Sequence, residues 1–273
     1  MNDSTVNFTL PEVSGENSLD LYLYGINFLF GFPTHSYVVW LIITGTQSGV
    51  ASEFFNLNLS VCEIGVCLSC FLFILGGCFA FSHLGTLTWF LLGLIVTGRP
   101  LFQCLMCVER YLAVVHPVTF LKCKPLRYRV ICCVIVWIII LSSCLCSMLG
   151  VILRFNFVYT WFLFPQFVLF LSIQLFCLVA VLRALKQSGP GERAREKEEN
   201  HMKRRAFHLI LITSLTMCVI YFPFIIFGLT VILLQQFMGG FFSFGFTCYM
   251  LGGFVQPVLY MHRAGKLFCL CCP

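Results

Sequence analysis

Charge is scarce in this 273-residue chain: 17 Lys and Arg stand against 11 Asp and Glu, 10% of the residues in all, while 59% are hydrophobic. Soluble domains carry roughly 25% charged and 45–50% apolar residues, so this composition excludes a water-soluble core under a polar shell. The first twenty residues, MNDSTVNFTLPEVSGENSLD, hold four acids and no Lys or Arg. A cleaved secretory leader needs a basic start and an apolar centre, and this segment has neither. Also missing are a phosphate-cradling glycine loop, a nucleophile triad and a metal-ligand cluster, so no enzyme activity, cofactor or metal is expected, and no nucleic-acid partner. Cysteine, by contrast, is plentiful at 17 residues. Most lie inside apolar runs, where they read as small hydrophobes, and Cys104/Cys107 has no second ligand pair at the spacing zinc requires.

What is present is a series of long apolar runs. About twenty apolar residues cross a bilayer as a helix, and seven such runs are expected, at about 21–45, 54–80, 86–112, 128–153, 157–185, 204–234 and 241–262. Fifteen of the 17 Lys and Arg fall at or between spans three and four, between spans five and six, or after span seven. The positive-inside rule then puts the N-terminus outside and the C-terminus in the cytoplasm. The expected organisation is an all-α seven-transmembrane bundle (21–262) with an extracellular tail (1–20) and a short cytoplasmic tail (263–273), a multi-pass protein of the plasma membrane. Sequons at Asn2 and Asn7 are glycosylation candidates in such an outer tail, and Cys269, Cys271 and Cys272, just past the last span, are palmitoylation candidates. The loop KQSGPGERAREKEENHMKRR (186–205) breaks after Ser-Gly-Pro-Gly and reads as a solvated extension of span six that sets topology or docks an intracellular partner.

The stretch Phe90 to Pro117 carries two arginines eleven residues apart, and depth separates their roles. At about 1.5 Å per residue, Arg99 lies roughly 16 Å from the inner end of span three, near the middle of a core about 30 Å thick, whereas Arg110 is at the rim. Glu63 of span two falls at nearly the same depth as Arg99, His35 of span one at a similar depth, and Gln256 of span seven somewhat closer to the inner face. Charges in a bilayer face the bundle interior and pair. A buried Glu63–Arg99 ion pair is therefore expected, with Gln256 and His35 in its neighbourhood. Such a pair suits either an ion or proton pathway or a packing lock between helices.

At this point the residues resemble a family. Glu109-Arg110-Tyr111 followed by LAVVHP is similar to the (D/E)RY motif and second intracellular loop of rhodopsin-like (class A) G-protein-coupled receptors. GFPTHSYVVW (31–40) resembles the first-helix signature with His35 in place of Asn, and NLSVCE (58–63) the second-helix signature with Glu63 in place of Asp. Trp137, Pro165 and Pro223 match the fourth-, fifth- and sixth-helix markers. QPVLY (256–260) is similar to NPxxY with Gln for Asn. The resemblance implies a cell-surface receptor that moves helix six outward and frees Arg110 from Glu109, so that Arg110, Tyr111 and Tyr260 help receive a heterotrimeric G protein.

The departures carry their own implications. In the family, the second-helix carboxylate and a small polar residue of helix three help to hold sodium; here that helix-three position is Arg99, whose guanidinium would replace an exchangeable cation with a tethered one. Gly85 stands where helix three normally opens with cysteine, so the family's extracellular disulfide is not expected. Tyr221 replaces the sixth-helix tryptophan. Lys203 cannot form an ionic lock with Arg110, which leaves Glu109 as its resting partner. Activation that is altered, constitutive or lost remains open on these grounds. The outer halves of the spans offer Trp89, Phe90, Gln166, Tyr221, Phe227 and Tyr249 as a candidate pocket for a small apolar or lipid ligand, alongside the reading that these residues are plain helix packing. Two further readings stay open: a non-signalling membrane partner protein, and a transporter using His35, Glu63 and Arg99.

Overall fold

The computed structural model describes residues 18–45, 53–79, 82–123, 125–152, 156–186, 195–234 and 239–263. All seven expected spans form helices, and no strand occurs among these residues. Span one runs from Ser18–Ile26 through a π-helical turn, Asn27–Gly31, into Phe32–Thr44. Pro33 lies just beyond that turn; it lacks an N–H for the preceding ladder, and a widened turn accommodates the loss. Spans two to six are Phe54–Phe79, Ser82–Val115, Leu126–Ile152, Asn156–Lys186 and Arg195–Leu234, with a short helix, Pro117–Cys123, between spans three and four. Span seven consists of two pieces, Gly239–Gly252 and Val255–Arg263. Six helices among the described residues are long and apolar enough to cross a membrane unbroken. The end of the bundle that carries the basic loops is called inner below.

Small residues bring the helices together. A Cβ on Gly93 would lie 2.4 Å from the Cys144 Cα, and one on Gly98 would lie 2.3 Å from the Cys62 sulfur. Span three therefore touches span four backbone to backbone and takes a span-two side chain into its Gly98 notch, the close approach that membrane helices use in place of a hydrophobic driving force. Phe55, Leu59, Cys62, Phe102, Val136 and Ile140 fill the space between spans two, three and four, and Trp137 donates its indole N–H to Asn58 Oδ1 across 3.0 Å. Asn27 joins spans one, two and seven: it donates to the Met250 sulfur at 2.8 Å and accepts from the Cys67 thiol at 3.3 Å. Outward-facing apolar residues such as Ile131, Val134, Ile135 and Ile138 on span four are exposed, as helices facing lipid require.

Candidate functional site

Arg99 is the largest fully buried side chain of the described chain, only 1% exposed. Its guanidinium meets the Glu63 carboxylate as a fork, Nε donating to Oε1 and Nη2 to Oε2, the latter at 2.7 Å. The ion pair expected from depth alone is present, and its bidentate geometry is the strong form of that interaction. The third guanidinium nitrogen, Nη1, donates to the Tyr249 carbonyl of span seven.

That carbonyl is free for a local reason. In a regular helix it would accept from the Gly253 N–H, but the Gly253 N–H goes to Met250 at 3.2 Å and the Phe254 N–H to Leu251 at 3.2 Å, so the helix tightens and stops. Two glycines sit at the break. A Cβ on Gly253 would lie 2.8 Å from Arg99 Nη2, and one on Gly252 would lie 2.2 Å from Ile220 Cδ1. Any larger residue at 253 would occupy the guanidinium's place. Four residues on, Pro257 offers no N–H to the Gly253 carbonyl, and His35 of span one lies against that Gly253 backbone, close to Glu63 and Arg99. His35 is buried, and its Nδ1 has no hydrogen-bond partner among the described residues.

Tyr249 closes the site. The Arg99 guanidinium carbon stands 3.8 Å from the Tyr249 ring centroid, a cation–π contact strengthened by the burial of both side chains. The Tyr249 hydroxyl donates to the Ile95 carbonyl, one turn before Arg99 on span three. Tyr221 packs edge-on against Tyr249 at 6.3 Å and at a tilt against Phe167 at 4.9 Å. One arginine thereby ties spans two, three and seven, with spans one and six in support. Its three nitrogens donate to oxygens, two of them the carboxylate oxygens of Glu63. Gln256, expected in this neighbourhood, is half-buried and takes no part in the Glu63–Arg99–Tyr249 hydrogen bonds.

At the inner end of span three, Glu109 accepts a hydrogen bond from Arg129 of span four. The sequence pointed to Arg110 as the partner of that carboxylate; the fourth-span arginine was missed because it lies twenty residues away, in the first turn after the loop. Arg129 is buried, and its guanidinium stands 5.7 Å from the Phe55 ring centroid. Arg110 and Tyr260 are half-buried and engaged with neighbours. Tyr111 meets His116 Nε2 at 3.1 Å through its hydroxyl and packs against Phe176.

The residues proposed for a ligand pocket divide among four places. Tyr221 and Tyr249 belong to the buried aromatic core around Arg99. Phe90 packs with the side chains between spans two, three and four. Gln166 accepts from Thr97 at 3.4 Å, and Thr97 shares a 2.6 Å hydrogen bond with Ser143. Phe227 is half-buried on span six. The side chains of Trp89 and Lys203, and Asn2, Asn7, Cys269, Cys271 and Cys272, lie outside the described residues.

Residues 35–156 match the family described as 7 transmembrane receptor (rhodopsin family). The chain is 31% identical over 188 residues to Chemokine XC receptor 1 of Homo sapiens, an alignment covering 63% of this chain and 56% of that receptor. It is 29% identical over 134 residues to the Uracil nucleotide/cysteinyl leukotriene receptor of Rattus norvegicus, covering 46% and 38%. With C-C chemokine receptor type 8 of Homo sapiens it shares 28% over 142 residues, covering 45% and 37%. The chain spans about half the length, or less, of these curated relatives.

Proposed function

We propose that this chain, whose residues 35–156 match the rhodopsin family of seven-transmembrane receptors, is a plasma-membrane receptor of that family that passes an extracellular or lipid-phase signal to heterotrimeric G proteins. The observation that carries this reading is the inner end of span three, where Glu109-Arg110-Tyr111 lies in the last turns of a membrane-crossing helix and Glu109 is held by Arg129 of span four. In this reading the N-terminus is outside and the basic loops and tail meet the G protein. Outward movement of helix six uncovers Arg110, which with Tyr260 receives the transducer. A two-state bundle of this kind couples an outer ligand to an inner partner through their differential contacts.

A small apolar ligand suits the aromatic outer halves of the spans, and the tails carry glycans at Asn2 and Asn7 and palmitate at Cys269, Cys271 and Cys272. Arg99 acts as a tethered cation in place of sodium. The packing-lock role of the Glu63–Arg99 pair is favoured over an ion pathway, because both carboxylate oxygens are engaged and the guanidinium is stacked on a tyrosine.

The test is G-protein activation scanned across G-protein classes in cells, wild type against Arg110→Ala at matched surface expression. A signal lost with Arg110 is the expected result and names the transducer. Equal responses in both proteins for every class would turn the reading toward a non-signalling partner protein.

A further inference from the structure

Away from the Arg99 site, the seam where span six meets spans three and five contains buried side-chain oxygens that have no hydrogen-bond partner among the described residues. Gln103 Oε1 on span three, Gln174 Oε1 on span five and Ser214 Oγ on span six are each buried to 2% exposure or less. None has a hydrogen-bond partner among the described residues. The Tyr221 hydroxyl, farther out on span six, shares this condition.

Their placement is mutual. Gln174 Nε2 reaches the Cys104 sulfur at 3.5 Å, which puts Gln174 beside the Gln103–Cys104 step of span three. The Cys104 thiol in turn donates to the Phe170 carbonyl at 3.4 Å. Met217 packs into the cluster that holds Cys104 and Phe170. Ser214 is one turn inward of Met217, as Gln174 is one turn inward of Phe170, so the three unpaired groups come from three helices at one level.

A buried polar atom without a partner bears the cost of desolvation with no return, whereas the same atom in contact with water does not. That cost falls on the closed bundle alone. When helix six swings outward, the seam it forms with spans three and five parts and the groups are hydrated, so the open arrangement is stabilised relative to the closed one. An apolar seam would do the opposite. At the inner end, Arg129 of span four holds Glu109.

We propose that this bundle opens without a ligand, driven by the unpaired seam of Gln103, Gln174 and Ser214, and that the receptor therefore has ligand-independent signalling. The second half of the proposal rests on the receptor reading above; the first half does not.

The experiment separates the two. Genetically encoded nitroxide amino acids, which leave the native cysteines untouched, replace Ala113 at the inner end of span three and Ile212 on span six. Distances are then measured by pulsed spin resonance in lipid nanodiscs with no ligand added. The wild type is compared with Gln103→Leu/Gln174→Leu/Ser214→Ala, and G-protein nucleotide exchange is measured on the unlabelled pair and on Arg110→Ala.

The wild type is expected to show a second, longer distance. The triple variant should reduce that population by about tenfold or more, since three unpaired groups are removed, and should melt at a higher temperature with exchange falling in parallel. A single distance in the wild type, or a long-distance population that the triple variant leaves unchanged, overturns the inference. Opening that responds to the triple variant with no Arg110-dependent exchange in any class upholds the inference about the bundle and overturns the receptor reading.

Discussion

At the scale of single residues, the Glu63–Arg99 pair decides more than any other contact, because each charge is tolerable at mid-membrane only while the other is present. Glu63→Gln leaves the guanidinium with a neutral amide oxygen and the Tyr249 carbonyl and ring but no counter-charge, and a buried charge stripped of its partner costs about 3–5 kcal/mol. The expected outcome is a large drop in melting temperature and in surface expression. Exchanging the charges, Glu63→Arg with Arg99→Glu, should recover part of the loss; a double variant no better than the worse single one would show that the pair contributes nothing beyond its separate residues. Gly253 gives a second test at this scale. A methyl group there would stand 2.8 Å from Arg99 Nη2, so Gly253→Ala should cost roughly 1–3 kcal/mol through overpacking. Gly228→Ala, whose nearest neighbour is the Phe164 ring at 3.2 Å, should cost less when both are melted under the same conditions.

At the scale of elements, the seventh span shows why part of the site was legible in the sequence and part was not. Hydropathy and charge were enough for the seven spans, because the bilayer imposes one length and one polarity on every crossing. Depth counted along two helices was enough for Glu63 and Arg99, since mid-membrane charges have few places to go. The partner on span seven was another matter. Tyr249 contributes a backbone carbonyl, which has no sequence signature of its own, and its ring was read as pocket lining. The signal that could have found it is Gly252-Gly253 followed by Pro257: two residues without side chains, then the missing N–H one turn later, which together break the helix and release carbonyls. Arg129 escaped because the register of span four against span three depends on Gly93 meeting the Cys144 backbone, a three-dimensional fact. Restoring the ladder should therefore be felt at the arginine. Pro257→Ala returns an N–H to the Gly253 carbonyl, draws the helix toward regularity and pulls the Tyr249 carbonyl back toward the Gly253 N–H. Amide hydrogen exchange over residues 249–258 should slow in that variant, while the melting temperature falls because Arg99 loses an acceptor. Unchanged exchange would mean that the glycines, without the proline, set the break.

At the scale of the whole molecule, the proposed role of Arg99 as a tethered cation would change what the bundle can sense. A site that binds a free cation couples the conformational equilibrium to the cation's concentration, since the ion stabilises the state it binds by an amount that grows with its activity. A guanidinium anchored on span three is present in both states at unit occupancy and has no concentration to vary. In this protein it also spans three helices, so it resists their separation at mid-depth, and movement must occur inward of it, in the seam where Gln103, Gln174 and Ser214 lie. Salt can still act on charges outside the bundle core, where screening extends about 8–10 Å at physiological strength and does not distinguish sodium from other monovalent cations. The two effects are separable by titration. Raising sodium chloride at constant ionic strength, with N-methylglucamine chloride as balance, should leave basal G-protein exchange and the helix-six distance distribution flat from zero to several hundred millimolar. Arg99→Ser, which returns a small polar residue to that position beside an ionised Glu63, should make both quantities sodium-dependent, with the closed distance favoured as sodium rises. A sodium response in the wild type as large as in Arg99→Ser would mean that the cation binds elsewhere in the bundle, and that Arg99 is a structural tie with no bearing on ion sensing.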